Sequence, residues 1–212
     1  MALTLVIGDK NYSSWSLRPW IAMRATGIVF EEKLIPLYGD GYKERLLELS
    51  PAGKVPILFD GSMQIWESLA IIEHLAERFP DAGLWPADPQ ARAHARAVSA
   101  EMHAGFEALR RECPMDMCRT EKAQNLSPQA QADVQRIDAL WTDSRQRFGA
   151  GGPFLFGAFS AADAMYAPVV SRCATYGLTV GPVARAYMHT IMSLPAYVEW
   201  KAAGIADLQV RS

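Results

Sequence analysis

Two short segments of this chain carry side chains and backbone groups able to act on a thiol and on an amino acid head, and a third opens a strand pair. Ser13-Ser14-Trp15-Ser16 places three hydroxyls within four residues, at the start of a helical pattern. A hydroxyl there donates to an anion, and the positive end of a helix dipole adds to the effect. A free thiol has a pKa of about 8.5, a hydrogen bond to a charged group contributes roughly 1.5–3 kcal/mol, and one pKa unit is about 1.4 kcal/mol. One well-aimed serine would lower a thiol pKa by about one to two units. Glu67-Ser68 opens a second helix directly after a strand, where backbone N–H groups and the Ser68 hydroxyl suit a carboxylate and Glu67 suits an ammonium group. Val55-Pro56 begins a strand pair; a proline there is ordinary edge chemistry, and few X-Pro bonds are cis. Taken singly, each serine and the Glu67-Ser68 pair read first as ordinary helix caps.

The elements that must hold these segments follow from periodicity. Leu3–Ile7 is a short apolar run ended by Gly8, a buried strand. Ser16–Thr26 has helical spacing with Gly27 as its stop, Val29–Leu37 is rich in β-branched and aromatic residues, and Gly39–Ser50 holds at most a short helix. Val55–Phe59 and Met63–Ile65 are joined through Asp60-Gly61-Ser62, a hairpin signal that predicts an antiparallel pair. Glu67–Phe79 repeats its apolar residues on one helical face. The order is βαβαββα. A linker rich in proline then spans residues 80–89, and residues 90–212 read as all helix: Gln90–Glu112, Ser127–Phe148, Ser160–Tyr176, Val183–Met192 and Pro195–Ala203. Ser160-Ala161-Ala162-Asp163 has the hydroxyl and carboxylate of a capping box.

Composition removes several functions. A net charge of −2 gives no nucleic-acid footprint, and no apolar run approaches a membrane span. The apolar start lacks the basic region of a signal peptide. Cys113, Cys118 and Cys173 form no C-x-x-C pair, which fits a reducing cytoplasm. With no cysteine before Cys113, a thiol-disulfide reductase or peroxidase working from the first loop is disfavoured. Four scattered histidines have no metal-ligand spacing, so no metal is expected; His74 and His103 read as solvated or satisfied helix positions.

The βαβαββα unit resembles a thioredoxin-like domain, with Ser13-Ser14-Trp15-Ser16 where a C-x-x-C pair would sit. The resemblance implies a cis Val55-Pro56 bond and a Val55 backbone turned outward to pair with a peptide-like ligand as an added strand. A thiol, a peptide unit and an amino acid head are the parts of glutathione. Asn11–Trp20 (NYSSWSLRPW), Ser50–Pro56 (SPAGKVP) and Trp66–Leu75 (WESLAIIEHL), followed by the capping box, resemble the glutathione S-transferase superfamily over nearly the whole chain. The serine run is most similar to the zeta class, whose motif is S-S-C-S, with Trp15 in the cysteine position. The resemblance implies Ser13 as thiol activator with Ser14 as backup, and glutathione, the cosubstrate, held by Trp15, Lys54, Val55, Pro56, Glu67 and Ser68. It also implies a homodimer in which Glu67–Phe79 packs on the partner's Gln90–Glu112 helix, and a small electrophile bound in the helical domain. Met115 and Met117 are candidates for that electrophile site, with Arg172 about a turn earlier than the zeta pattern places its arginine. Conjugation by a transferase is the expected activity; an isomerase of the maleylacetoacetate type and a non-catalytic glutathione-binding or regulatory protein remain alternatives.

Overall fold

The computed structural model of the chain describes residues 2–121 and 125–211. The N-terminal part is a four-stranded mixed sheet with helices: β1 (Leu3–Ile7), α1 (Ser14–Ala25), β2 (Phe30–Leu34), α2 (Tyr42–Leu49), β3 (Ile57–Asp60), β4 (Met63–Trp66) and α3 (Ser68–Arg78). Strand order is β2-β1-β3-β4, with β1 parallel to β2 and antiparallel to β3. The hairpin expected from Asp60-Gly61 is present, with β3 antiparallel to β4 and Asp60 opposite Met63. The helical part follows as α4 (Pro89–Ala104), α5 (Glu107–Glu112), α6 (Pro128–Phe148), α7 (Ala161–Thr175), α8 (Pro182–Ser193) and α9 (Pro195–Arg211).

One apolar core runs through both parts. Leu17, Trp20 and Ile21 of α1 are fully buried and belong to the same cluster as Ile71 and Leu75 of α3 and Met165 and Val169 of α7. Each such side chain contributes about 1.5–3 kcal/mol by leaving water, so α1 is held by the sheet domain and the helical domain together. The capping box forms as expected: Asp163 accepts from the Ser160 N–H at 2.8 Å and from the Leu155 N–H at 3.1 Å. Burial nonetheless pushes its carboxyl up to about 6.

The element boundaries differ from expectation where tertiary contacts override local pattern. α1 begins two residues early, at Ser14, and carries Pro19 in its interior. β2 is shorter than Val29–Leu37; beyond it the chain turns so that the Leu37 N–H reaches Asp9 Oδ2 at 2.8 Å. Within residues 80–89 there is a short 3-10 turn at Pro80–Ala82, and Asp88 caps α4 by accepting from the Ala91 N–H. The single helix expected over Gln90–Glu112 is two. It breaks at Gly105-Phe106, where Phe106 has φ 57 and a Cβ on Gly105 would lie 2.8 Å from the Glu101 carbonyl oxygen. α9 runs past the expected Ala203 and packs so closely that a Cβ on Gly204 would lie 3.1 Å from the Asn11 nitrogen. Among the described residues no helix is long and apolar enough to cross a membrane.

Candidate functional site

The loop between β1 and α1 is held by the helical domain on three sides. Trp200 donates its indole N–H to the Lys10 carbonyl at 2.6 Å. Asn11 donates to Asp116 Oδ1 at 2.8 Å and accepts the Cys118 N–H at 3.0 Å. Arg172 donates to the Ser14 hydroxyl oxygen at 3.3 Å and to the carbonyls of Arg110 and Cys113. The loop thereby presents Ser13 and Ser14, both only 7% exposed, at the positive end of α1. Ser13 is the N-cap residue, yet its side chain makes no capping bond; its Oγ lies 2.7 Å from Ser16 Oγ. The hydroxyl therefore caps no backbone N–H, and its partner is the Ser16 hydroxyl.

Two adjoining clefts flank this loop. One, of about 330 Å³, is lined by Tyr12, Ser13, Ser14, Trp15, Leu37 and Val55 among others. The other, of about 290 Å³, is lined by Lys54, Val55, Pro56, Trp66, Glu67, His103 and Arg110 as well as Trp15. Trp15, Lys54 and Val55 border both. The Val55-Pro56 bond is cis. Glu67 has φ 69, a conformation costing a non-glycine residue of order 1–3 kcal/mol. Ser68, at the first turn of α3, is fully buried with its hydroxyl unpartnered among the described residues. A buried hydroxyl without a partner, next to a strained acidic residue and a helix N-terminus, fits the carboxylate and ammonium of an amino acid head. A larger hollow of about 580 Å³ between Gly27 and Arg78 has no such convergence of hydroxyls and helix N-termini.

The electrostatics around Trp15 are one-sided. Arg18 is fully buried, with its guanidinium carbon 4.0 Å from the Trp15 ring centroid and Nε and Nη1 unpartnered. Burial first, then the like charges of Arg172 and Arg110, lower its pKa to about 9. Arg110 also lies over Trp15, at 5.5 Å. Arg172 is lowered to about 10 by burial and by Arg110. Three cations thus lie close together beside the loop, Arg172 behind Ser14, Arg18 against Trp15 and Arg110 in the cleft wall, and the acidic group facing Arg18 is Glu67, whose side chain is half exposed. His103 meets Trp15 edge-on at 5.2 Å and has Nε2 3.5 Å from Glu67; burial and then Arg18 lower its pKa, so it is neutral at pH 7.

The structure brings Ser13, Ser14, Trp15, Lys54, Val55, Pro56 and Glu67 to the clefts, with Ser68 directly behind Glu67. It does not bring Met115, Met117 or Arg172 there. Both methionines are 3% exposed members of the core, and Asp116 between them ties down Asn11. Arg172 reaches the site only through the Ser14 oxygen. Of the two readings for His103 the structure shows the satisfied one: it lies at the end of α4 against Trp15 and Glu67, and Arg110 joins the same cleft wall from α5. Arg18 carried one visible signal, four residues after Ser14 on the same helical face. Burial holds the cysteines as thiols, raising Cys113 and Cys118 and pushing Cys173 up to about 12. Among the described residues no group of three His, Cys, Asp or Glu side chains could hold a metal.

Residues 12–78 match the family described as glutathione S-transferase, N-terminal domain, and residues 89–200 match its C-terminal domain. A probable maleylacetoacetate isomerase of Caenorhabditis elegans is 41% identical over 100 residues, 47% of this chain and 46% of that protein. The alignment therefore spans less than half the length of that relative. The maleylacetoacetate isomerase of Rattus norvegicus is 32% identical over 180 residues, 82% of this chain and 79% of its own. A Burkholderia glutathione transferase homologue, solved with bound glutathione, shares the fold at a TM-score of 0.71 and 22% identity, covering 97% of this chain and 99% of that one.

Proposed function

The chain belongs to the glutathione S-transferase family, and from that premise we propose that it is a glutathione transferase whose Ser13 hydroxyl stabilises the glutathione thiolate for attack on a small electrophile. The observation that carries the reading is the Ser13 side chain itself: a hydroxyl at the N-terminus of α1 that caps no backbone N–H and pairs with the Ser16 hydroxyl, beside one cleft, backed by the buried guanidinium groups of Arg18 and Arg172. Glutathione would lie across both clefts. Its cysteinyl unit would pair with the Val55 backbone as an added strand, and its γ-glutamyl head would reach Glu67 and Ser68. Lys54 and Trp15, which border both clefts, would flank it.

The chemistry divides between proton and charge. The thiol proton must pass to solvent water at the open cleft before the sulfur is nucleophilic, since the thiolate is the reactive form. Ser13 donates a hydrogen bond to the sulfur anion and lowers its pKa by about one to two units. The helix dipole and the nearby guanidinium groups favour the same anion, with Trp15 excluding water from one side. The electrophile would enter along the wall made by Trp15, His103 and Arg110. An isomerase of the maleylacetoacetate type is the second reading, favoured by the rat relative's name and coverage. In this chain Trp15 stands where the zeta motif has cysteine. A non-catalytic glutathione-binding role would leave the Ser13 hydroxyl without work. The reading also includes a homodimer with α3 against the partner's α4, and a reducing compartment such as the cytoplasm, suited to three free cysteines.

The test is the ultraviolet absorbance of bound thiolate followed from about pH 6 to about pH 9. Ser13→Ala should raise the bound thiol pKa by about one unit with little loss of glutathione affinity, because the binding contacts lie at Val55, Glu67 and Ser68. A larger shift in Ser14→Ala would move the role one residue along. No shift in either variant would leave the binding protein as the better description.

A further inference from the structure

Ser16 is fully buried, and its Oγ lies 3.1 Å from the Gly8 nitrogen and 2.7 Å from Ser13 Oγ. An amide can only donate, so Gly8 occupies one lone pair of the Ser16 oxygen. The contact between the two hydroxyls can run in either direction, and burial decides which. If Ser13 donated, the Ser16 hydrogen would have no acceptor among the described residues, in a position closed to water, and an orphaned buried donor forfeits its hydration without return. If Ser16 donates, its hydrogen and its oxygen both have partners and the Ser13 hydrogen is released toward the cleft. Ser13 uses it for no capping bond and borders the cleft.

We infer that Ser16 is a positioning residue that works through Ser13: the buried relay from the Gly8 N–H through the Ser16 hydroxyl to the Ser13 oxygen aims the Ser13 hydrogen into the cleft, at the thiol of glutathione. The inference rests on the reading of Ser13 as thiol activator. The cap position keeps the pair in register, since an N-cap side chain lies over the third residue of its helix, here Ser16. An oxygen that already accepts a bond donates a stronger one, so the relay polarises the Ser13 hydroxyl as well as orienting it. Ser14 is set by a different group, the Arg172 guanidinium at 3.3 Å, and stands outside the relay. Arg18 and Arg172 supply a fixed positive field that Ser16 does not alter.

The same thiolate titration, with glutathione itself as the probe, tests this on Ser13→Ala, Ser16→Ala, Ser16→Thr and the Ser13→Ala/Ser16→Ala double variant. Ser16→Ala should raise the bound thiol pKa by about 0.5–1 unit, which is roughly 3–10-fold less thiolate below both values. Ser16→Thr keeps a hydroxyl and should restore it; Ser16→Cys, a weak donor of similar size, should fall between and serves where threonine's methyl prevents folding. The double variant should titrate like Ser13→Ala alone, because no hydrogen remains to be aimed. A wild-type titration in Ser16→Ala alongside a shifted Ser13→Ala overturns the relay and leaves the Ser13 reading standing. Additive shifts in the double variant also overturn it, as does a lowered melting temperature without any change in thiol pKa. An unshifted Ser13→Ala removes the reading and the relay together.

Discussion

Replacing Arg18 by methionine should make this protein more stable and worse at its chemistry. Arg18 is 1% exposed, and two of its guanidinium nitrogens are unpartnered. Its pKa falls from 12.5 to about 9, so the group is still charged at pH 7. Holding it charged inside the fold costs about 3.5 units, or roughly 5 kcal/mol. The face of Trp15 at 4.0 Å returns about 2 kcal/mol as a desolvated cation–π contact. Glu67 would lose a neighbour, but it is half exposed and water takes over. The net gain in Arg18→Met is about 3 kcal/mol, within the range seen when a buried ion gives way to an apolar side chain. At about 2–4 °C per kcal/mol for a chain of this size, the melting temperature should rise by about 6–12 °C. The sign with pH is fixed by linkage. The folded pKa lies below the unfolded one, so the wild-type penalty is complete below about pH 9 and fades as pH rises beyond it. The gap between variant and wild type should therefore be constant from about pH 7 to about pH 9 and narrow above. The bound thiol pKa should rise in the same variant, because one of the cations beside the loop is gone. Calorimetry and the thiolate titration read the two effects separately. A melting temperature that falls or stays level would refute the account of Arg18 as an uncompensated buried charge.

Trp200→Phe removes the donor to the Lys10 carbonyl and should cost about 1–3 kcal/mol while loosening the loop that carries Ser13, read as a larger loss of amide-exchange protection at Asn11 and Tyr12 than at β1. Asp163→Ala orphans the Leu155 and Ser160 N–H groups at the start of α7 and should lower stability by about 3 kcal/mol or more in chemical denaturation. His94 and His103 both have pKa values lowered chiefly by burial, so the unfolded chain binds protons more readily than the fold. Their contribution to stability should be complete above about pH 6.5 and be lost as pH falls below it; His103→Phe should flatten that slope in urea titrations. Sedimentation at micromolar concentration should give a dimer, and a monomer would remove the proposed α3–α4 contact between subunits.

Local pattern was sufficient for the sheet domain. Leu3–Ile7, the Asp60-Gly61 hairpin and the capping box at Ser160 and Asp163 are written in short-range chemistry: burial period, turn geometry and a hydroxyl paired with a carboxylate three residues on. So were Ser13, Val55 and Glu67, because helix starts and a proline before a hairpin announce themselves in sequence. What lies behind those residues was not legible. The break at Gly105-Phe106 interrupts an otherwise continuous helical period, since one residue with φ 57 leaves no mark on apolar spacing. That break sets His103 and Arg110 against Trp15, and neither residue's type or spacing points to it. Met115 and Met117 carry the composition of a pocket wall and lie in the core, because which face a side chain shows depends on the helices packed over it. The use of each serine was also a tertiary decision. Ser13, Ser14 and Ser16 are chemically identical in sequence; burial makes Ser16 the acceptor of the Gly8 N–H and the partner of the Ser13 hydroxyl, Arg172 from 158 residues away fixes Ser14, and Ser13 keeps a hydroxyl that caps no backbone N–H.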